Sequence, residues 1–155
     1  DEKMQTVIGQ GETLITPLHL NMITSAIANK GKLVEPYLLK SVKNNYGAVI
    51  KEFSDSGTSQ FMSEEEAAIL VDLMEEVVQK GTATKLLDKG YTAAGKTGSA
   101  EYNSNRDSHA WFTGFAPVDD PQICVTVIIE TAGSGGDYAV PMARRVFDAY
   151  FDKNN

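Results

Sequence analysis

The strongest constraint on the fold lies between His109 and Ile129, where the chain changes character at every second residue. His109, Trp111, Thr113 and Phe115 alternate with Ala110, Phe112, Gly114 and Ala116, and Ile123, Val125, Val127 and Ile129 then alternate with smaller or polar residues. A period of two places neighbouring side chains on opposite faces of a strand. Val118-Asp119-Asp120-Pro121 between the two stretches carries turn-forming residues. The pattern predicts an antiparallel hairpin with strands over about 109–117 and 122–130, and a further strand over about 91–101. The expected class is α+β, with an antiparallel sheet of at least three strands flanked by helices.

Three segments switch to helical spacing. Thr16-Pro17 opens one over about 16–30, with Leu18, Leu20, Met22, Ile23, Ala26 and Ile27 as its apolar residues and Gly31 beyond its end. Thr16 suits the cap, Pro17 the first helical position and Gly31 a left-handed stop, which predicts a largely buried helix. Ser63-Glu64-Glu65-Glu66 is a capping box, and its three acids oppose the positive end of the helix dipole. Leu70, Leu73, Met74, Val77 and Val78 then form a stripe up to Lys80-Gly81, while Asp72, Glu75, Glu76 and Gln79 face solvent. After Gly133-Ser134-Gly135-Gly136, a last helix directs Val140, Ala143, Val146, Phe147 and Tyr150 inward, with Pro141 near its first turn. Residues 33–51 predict two short extended stretches joined by a turn at Asn44-Asn45-Tyr46-Gly47, and 54–60 reads as a polar loop.

A length of 155 residues suits one compact unit, taken as 1–155. Fourteen Lys and Arg against 21 Asp and Glu leave a net charge of −7, so no basic field draws in a nucleic acid. The hydrophobic share of 42% is enough to pack a core, which excludes wholesale disorder. The lone Cys124 forbids an intrachain disulfide and a thiolate zinc site, and no metal or other cofactor is expected. There is no run of 18 apolar residues, and Asp1-Glu2-Lys3-Met4-Gln5 has neither a basic nor an apolar leader segment. Any export signal or membrane anchor is therefore expected outside these residues.

Two chemistries compete for Gly90-Tyr91-Thr92-Ala93-Ala94-Gly95-Lys96-Thr97-Gly98-Ser99. Gly90 to Thr97 satisfies the phosphate-loop pattern G-x-x-x-x-G-K-[ST], in which Lys96 and Thr97 would hold a nucleotide and its magnesium. That chemistry needs a buried strand before the loop and a helix beginning at its Lys-Thr. Lys85-Leu86-Leu87-Asp88-Lys89 is a poor buried strand, Gly98 stands where the helix should start, and residues 102–107 are a polar turn. The other reading puts Lys96-Thr97-Gly98-Ser99 on a strand, as the K-T-G signature of serine penicillin-recognising enzymes. There Lys96 and the Thr97 and Ser99 hydroxyls can bind a carboxylate, Gly98 lets a ligand lie against the backbone, and the Ser99 N–H can point at a developing oxyanion.

Simpler roles compete for other residues. Taken alone, Lys96 is an ordinary strand-edge cation, and His109 a packed strand residue rather than a general base. His19 is structural, Trp111 and Phe115 are core, Gly133 to Gly136 is a loop entering a helix, and Cys124 is inert. Glu101 and Asp107 have no paired-carboxylate geometry.

Beyond K-T-G, the chain resembles the C-terminal part of a class B penicillin-binding protein transpeptidase domain over roughly 8–151. The matching pieces are Ile8-Gly9-Gln10-Gly11-Glu12, Thr16-Pro17-Leu18, Ala26-Ile27-Ala28-Asn29, Gln79-Lys80-Gly81-Thr82-Ala83, Ala110 to Pro117 and Tyr138 to Phe151. The resemblance implies a D,D-transpeptidase of peptidoglycan synthesis at the extracytoplasmic face of a bacterial membrane. In that reaction a serine attacks a D-Ala-D-Ala stem peptide, D-Ala leaves and an amine accepts the acyl group; β-lactams acylate the same serine. It implies further that Lys96 assists electrostatically, that Thr97 and Ser99 bind the terminal carboxylate, and that the Ser99 N–H forms half of the oxyanion hole. Gly98 keeps that edge accessible.

The chain departs from the family at the nucleophile. None of Ser25, Ser41, Ser54, Ser56, Ser59, Ser63, Ser99, Ser104, Ser108 and Ser134 has Lys three residues on, and there is no S-x-N. Thr82-Ala83-Thr84-Lys85 has the spacing with Thr but follows a helix end, and receives no catalytic role. The expectation is a portion of a transpeptidase domain, inert alone, whose partners are the wall peptide, β-lactams and the N-terminal part of its own domain. The alternatives are a non-catalytic wall-peptide or β-lactam binding module and the phosphate loop at 90–97.

Overall fold

The computed structural model describes residues 9–10, 13–53, 57–102 and 105–154. In chain order the elements are α1 (Pro17–Ala28), β1 (Lys32–Val34), β2 (Ser41–Lys43), β3 (Val49–Glu52), β4 (Thr58–Gln60), α2 (Glu64–Gln79), β5 (Ala94–Ala100), β6 (His109–Ala116), β7 (Ile123–Ile129) and α3 (Val140–Asn154). A 3-10 turn, Thr84–Leu86, follows α2, and one π-helical turn, Gly135–Ala139, leads into α3.

The centre is an antiparallel sheet in the order β5-β6-β7. Its register places Thr97 opposite Phe112 and Phe112 opposite Val127, with Lys96 opposite Thr113 and Thr113 opposite Thr126. Partners across an antiparallel pair share a face, so Gly95, Thr97, Ser99, Phe112 and Val125 point one way and Lys96, Gly98, Trp111, Thr113 and Phe115 the other. The first face packs on α3: Phe112, Ala116 and Val125 join Val140, Ala143 and Phe147 in one buried cluster. The second packs on α1 and α2, where Ala94 and Phe115 meet Ile27 and Met74. Met74 belongs to one cluster and Val78 to the other, so α2 straddles the two cores beside the start of β5.

The predicted helix ends hold. Thr16 Oγ1 accepts from His19 N, and the Ser63 box closes in both directions, with Glu66 N donating to Ser63 Oγ at 3.1 Å and Ser63 N donating to Glu66 Oε2 at 2.8 Å. Those bonds hold the Glu66 carboxyl below the usual range, the backbone one most. Three expectations on burial are corrected. In α1 the buried residues are Thr24, Ala26 and Ile27 while Leu18 is 60% exposed, so the helix is not largely buried. Leu73 and Val146 also face outward. Helical spacing fixes a stripe, but only the neighbour decides how wide a part of it is covered.

The hairpin at Asn44 to Gly47 forms as predicted, between β2 and β3, with Asn44 Oδ1 accepting from Tyr46 N and Ala48 N. The polar loop reading of 54–60 is corrected in its second half: Thr58–Gln60 is a strand paired with Lys32–Val34, and 54–56 lie outside the described residues. Every residue of β4 is exposed, so no alternation marked it. Gly31, at φ +80°, sets up the pairing, because a side chain there would strike the Met62 carbonyl.

Candidate active site

β5 begins with residues small enough to bury. Ala94 and Gly95 are covered, and a Cβ at Gly95 would meet the Phe112 ring, so glycine lets that ring cross the sheet. Beyond Gly95 the strand emerges at the surface. Lys96 and Ser99 are exposed, and Thr97 and Gly98 half-buried. The alternation therefore splits the motif, with the Lys96 side chain starting from the α1 face and the Thr97 and Ser99 hydroxyls standing on the α3 face.

Each group is held. Lys96 Nζ folds back to donate to Thr97 O at 2.6 Å, an exposed bond that keeps the ammonium beside the strand edge. Thr97 Oγ1 lies 2.6 Å from Thr82 Oγ1. Ser99 Oγ accepts from Gly135 N at 3.4 Å. Gly98 has Trp111 Cβ 3.3 Å from where its own Cβ would stand, so a side chain there would be crowded.

The direction of the backbone follows from Gln10. Gln10 Nε2 donates to Ser99 O at 3.0 Å, and Glu101 N donates to Gln10 Oε1 at 3.4 Å. Both backbone groups thus face away from β6. In an antiparallel strand a residue's N–H and C=O point to the same side and successive residues alternate. The Ser99 N–H therefore also points out of the sheet edge, as do the N–H and C=O of Thr97.

Sequence reasoning left out the residues that support this edge. Thr82 follows the end of α2, and Gly81 makes the turn possible, since a Cβ there would lie 2.8 Å from Val77 O. The loop before α3 closes over the same region. A Cβ at Gly135 would meet the Gly98 and Trp111 carbonyls, and one at Gly136 would meet Thr82 O at 2.7 Å. Lys85 clips that loop down, with its Nζ 2.7 Å from Asp137 Oδ1 and 2.9 Å from Gly136 O. The hydrogen bond from Lys85, with its charge, holds the Asp137 carboxyl below the usual range. The three glycines within 133–136 and the Lys-Gly-Thr step at 80–82 were the available signals, yet nothing in sequence says which strand they approach.

The other candidates take structural places. His109 stacks on Tyr102 with centroids 4.1 Å apart, and its Nδ1 accepts from Thr131 N at 3.0 Å. His19 is exposed and serves the α1 cap through its backbone N–H. Phe115 is fully buried, but Trp111 is only half-buried. Cys124 is half-buried, and burial pushes its thiol up, which fits an unreactive side chain. Glu101 and Asp107 are exposed. The phosphate loop is corrected: Ala94 to Thr97 are extended in β5, so no helix starts at Lys96-Thr97. Among the described residues no cluster of His, Cys, Asp or Glu is arranged to hold a metal, and no helix is long and apolar enough to cross a membrane.

Residues 2–148 match the family described as the penicillin binding protein transpeptidase domain. Among curated relatives, the chain is 34% identical to the peptidoglycan D,D-transpeptidase MrdA of Haemophilus influenzae, a match covering 94% of this chain and 25% of that protein. It is 35% identical to the peptidoglycan D,D-transpeptidase PbpA of Mycolicibacterium smegmatis, covering 92% and 30%. Among solved structures, it superposes on the ceftriaxone acyl-enzyme complex of penicillin-binding protein A from M. tuberculosis with a TM-score of 0.86 at 33% identity, over 94% of this chain and 34% of that one. The chain thus spans about a quarter to a third of the relatives' length.

Proposed function

Because the chain belongs to the penicillin-binding protein transpeptidase domain family, we propose that it is the carboxylate- and oxyanion-binding portion of a peptidoglycan D,D-transpeptidase. In this reading residues 1–155 are a C-terminal portion of one domain. The nucleophilic serine comes from another part, since no serine here precedes a lysine by three. The intact enzyme acts outside the bacterial membrane on wall stem peptides and is acylated by β-lactams.

The observation that carries this reading is the outward Ser99 N–H on the edge of β5, with the Thr97 and Ser99 hydroxyls on one face and the Lys96 ammonium folded back beside the same edge. A stem peptide ends in a carboxylate one residue beyond its scissile carbonyl. The two hydroxyls bind that carboxylate, and Lys96 supplies the positive field. The scissile carbonyl oxygen then rests near the Ser99 N–H. When the serine oxygen adds to the carbonyl carbon, the oxygen gains negative charge and its bond to this N–H strengthens, which lowers the barrier. Collapse breaks the C–N bond, and D-Ala leaves with the proton given up by the serine hydroxyl on its nitrogen. An amine of a second stem then attacks the ester, forming a new C–N bond as the ester C–O bond breaks and the amine's proton returns to the serine oxygen.

Labelling with a fluorescent penicillin tests this. The 155-residue chain alone stays unlabelled, whereas the intact transpeptidase carrying it is labelled. There Lys96→Ala slows acylation by about a hundredfold. Covalent labelling of the isolated chain, or a Lys96→Ala enzyme that acylates normally, would contradict the assignment. Reversible retention of penicillin by the intact protein without a covalent adduct would favour a binding module instead.

A further inference from the structure

Gln10 offers the β5 edge a primary amide, chemically a peptide group with its own donor and acceptor. It spans Ser99 O and Glu101 N, residues two apart on the same edge, and so takes one acceptor and one donor that a strand added there would use. It reaches them from 89 positions away in sequence, so this is not a local turn contact. The edge left for a ligand is short. The Thr97 carbonyl already accepts from Lys96 Nζ, and the Ser99 N–H is the outward donor next to the hydroxyls.

A ligand whose carbonyl oxygen sits on the Ser99 N–H brings its neighbouring main-chain amide N–H opposite the Ser99 carbonyl, because paired residues on an antiparallel edge exchange both bonds. That acceptor is the one Gln10 holds. We propose that Gln10 is a specificity-determining residue of the acyl-donor site: its side-chain amide competes with the ligand for the Ser99 carbonyl and ends main-chain pairing along β5 at that residue. Ligands with an amide N–H beside the reacting carbonyl must displace Gln10, and ligands without it need not. The inference rests on the transpeptidase reading above and adds a determinant of which acyl donors it accepts.

The test is the ratio of acylation rate constants for two penams in the intact transpeptidase. Penicillin G carries an amide N–H beside its β-lactam carbonyl, and the 6-unsubstituted penam has the same nucleus without it. Removing the competing bond raises the penicillin G to unsubstituted penam ratio by about three- to tenfold in both Gln10→Ala and the uncharged, similarly sized Gln10→Met. A ratio that stays flat or falls in both variants, while the wild type reacts with both penams, overturns this inference alone. A wild type that forms no adduct with either penam overturns the transpeptidase reading and this inference with it.

Discussion

The two faces of the β5-β6-β7 sheet are built from the same three strands yet are held by different forces. On the α3 face, Phe112 and Phe147 are fully buried among Val140, Ala143 and Val125, and the polar residues buried among the described ones, Thr24 and Thr113, lie on the other face. On the α1 face a line of hydroxyls runs through the packing. Thr24 Oγ1 lies 2.7 Å from Thr113 Oγ1, which lies 2.8 Å from Thr126 Oγ1, and Asn21 Nδ2 donates to Thr126 Oγ1 at 3.2 Å. Thr113 is the cross-strand partner of Lys96. Burial by area is non-directional and tolerates sliding, whereas a hydroxyl chain is satisfied in one arrangement. The apolar face therefore supplies most of the stability, and the hydroxyl face fixes where α1 sits against the strand that carries the motif.

The comparison breaks first at Phe147. Phe147→Ala removes a fully buried ring from the middle of the apolar cluster, and is expected to cost about 3–5 kcal/mol in urea unfolding. A loss below about 1 kcal/mol would mean that the α3 face is not the main source of stability. On the other face Thr113→Val keeps the shape and deletes the central hydroxyl, which takes one bond from Thr24 and one from Thr126, at about 1–3 kcal/mol. Adding Thr24→Val should cost less in that background than in the wild type, since the bond shared with Thr113 is already gone and only the one to Leu20 O remains to lose. A double variant less stable by the full sum would show that the hydroxyls act independently.

How legible each face was in the sequence follows from the same distinction. The period-two pattern of His109 to Ile129 and the Ser63 capping box placed β6, β7 and α2 almost to the residue, because burial on one face and a satisfied helix end leave local marks, whereas β5 begins three residues later than expected. The placement of Lys96-Thr97-Gly98 in an outer strand also followed from local context, through what could not come after Thr97. β4 left no mark, being exposed along its whole length. Gln10 and Thr82 left none either. Their partners, Ser99 and Thr97, lie 89 and 15 positions away, and no local pattern encodes a contact made by the fold. Val146 and Leu18 failed in the other direction, as apolar residues at helical spacing that stay exposed.

A smaller effect tests the support of the site. Thr82→Val removes the hydroxyl 2.6 Å from Thr97 Oγ1 on an exposed turn, so the stability cost is small. On the proposed reading the Thr97 hydroxyl then loses its orientation toward a ligand carboxylate, and acylation of the intact transpeptidase by penicillin should slow by about three- to tenfold. Thr82→Ser restores the hydroxyl and should restore the rate. Failure of that rescue would assign Thr82 a packing role instead.

The smallest expected effect lies at the rim of the apolar face, where Tyr91 leans on Phe147 with ring centroids 5.8 Å apart and donates from Oη to Asp148 Oδ1 at 2.8 Å. Lys89 Nζ lies 3.2 Å from Asp148 Oδ2, and Arg144 Nε 3.7 Å. Burial is the largest single influence on Asp148 and opposes its ionisation, but the bonds from Tyr91 and Lys89 and the two positive charges together hold the carboxyl below its usual range. Burial, and then the bond to Asp148, push the Tyr91 phenol up, so it stays neutral throughout the acid range. A carboxyl lowered on folding stabilises fully above its unfolded value of about 3.9, and that contribution disappears as pH falls through the folded value. Urea midpoints for wild type and Asp148→Asn should therefore differ at pH 7 by the equivalent of about 1 kcal/mol or less and converge as pH falls below about 4. A gap that persists unchanged into acid would mean that the side chain acts through shape rather than charge, leaving the α3 face apolar in its energetics out to its edge.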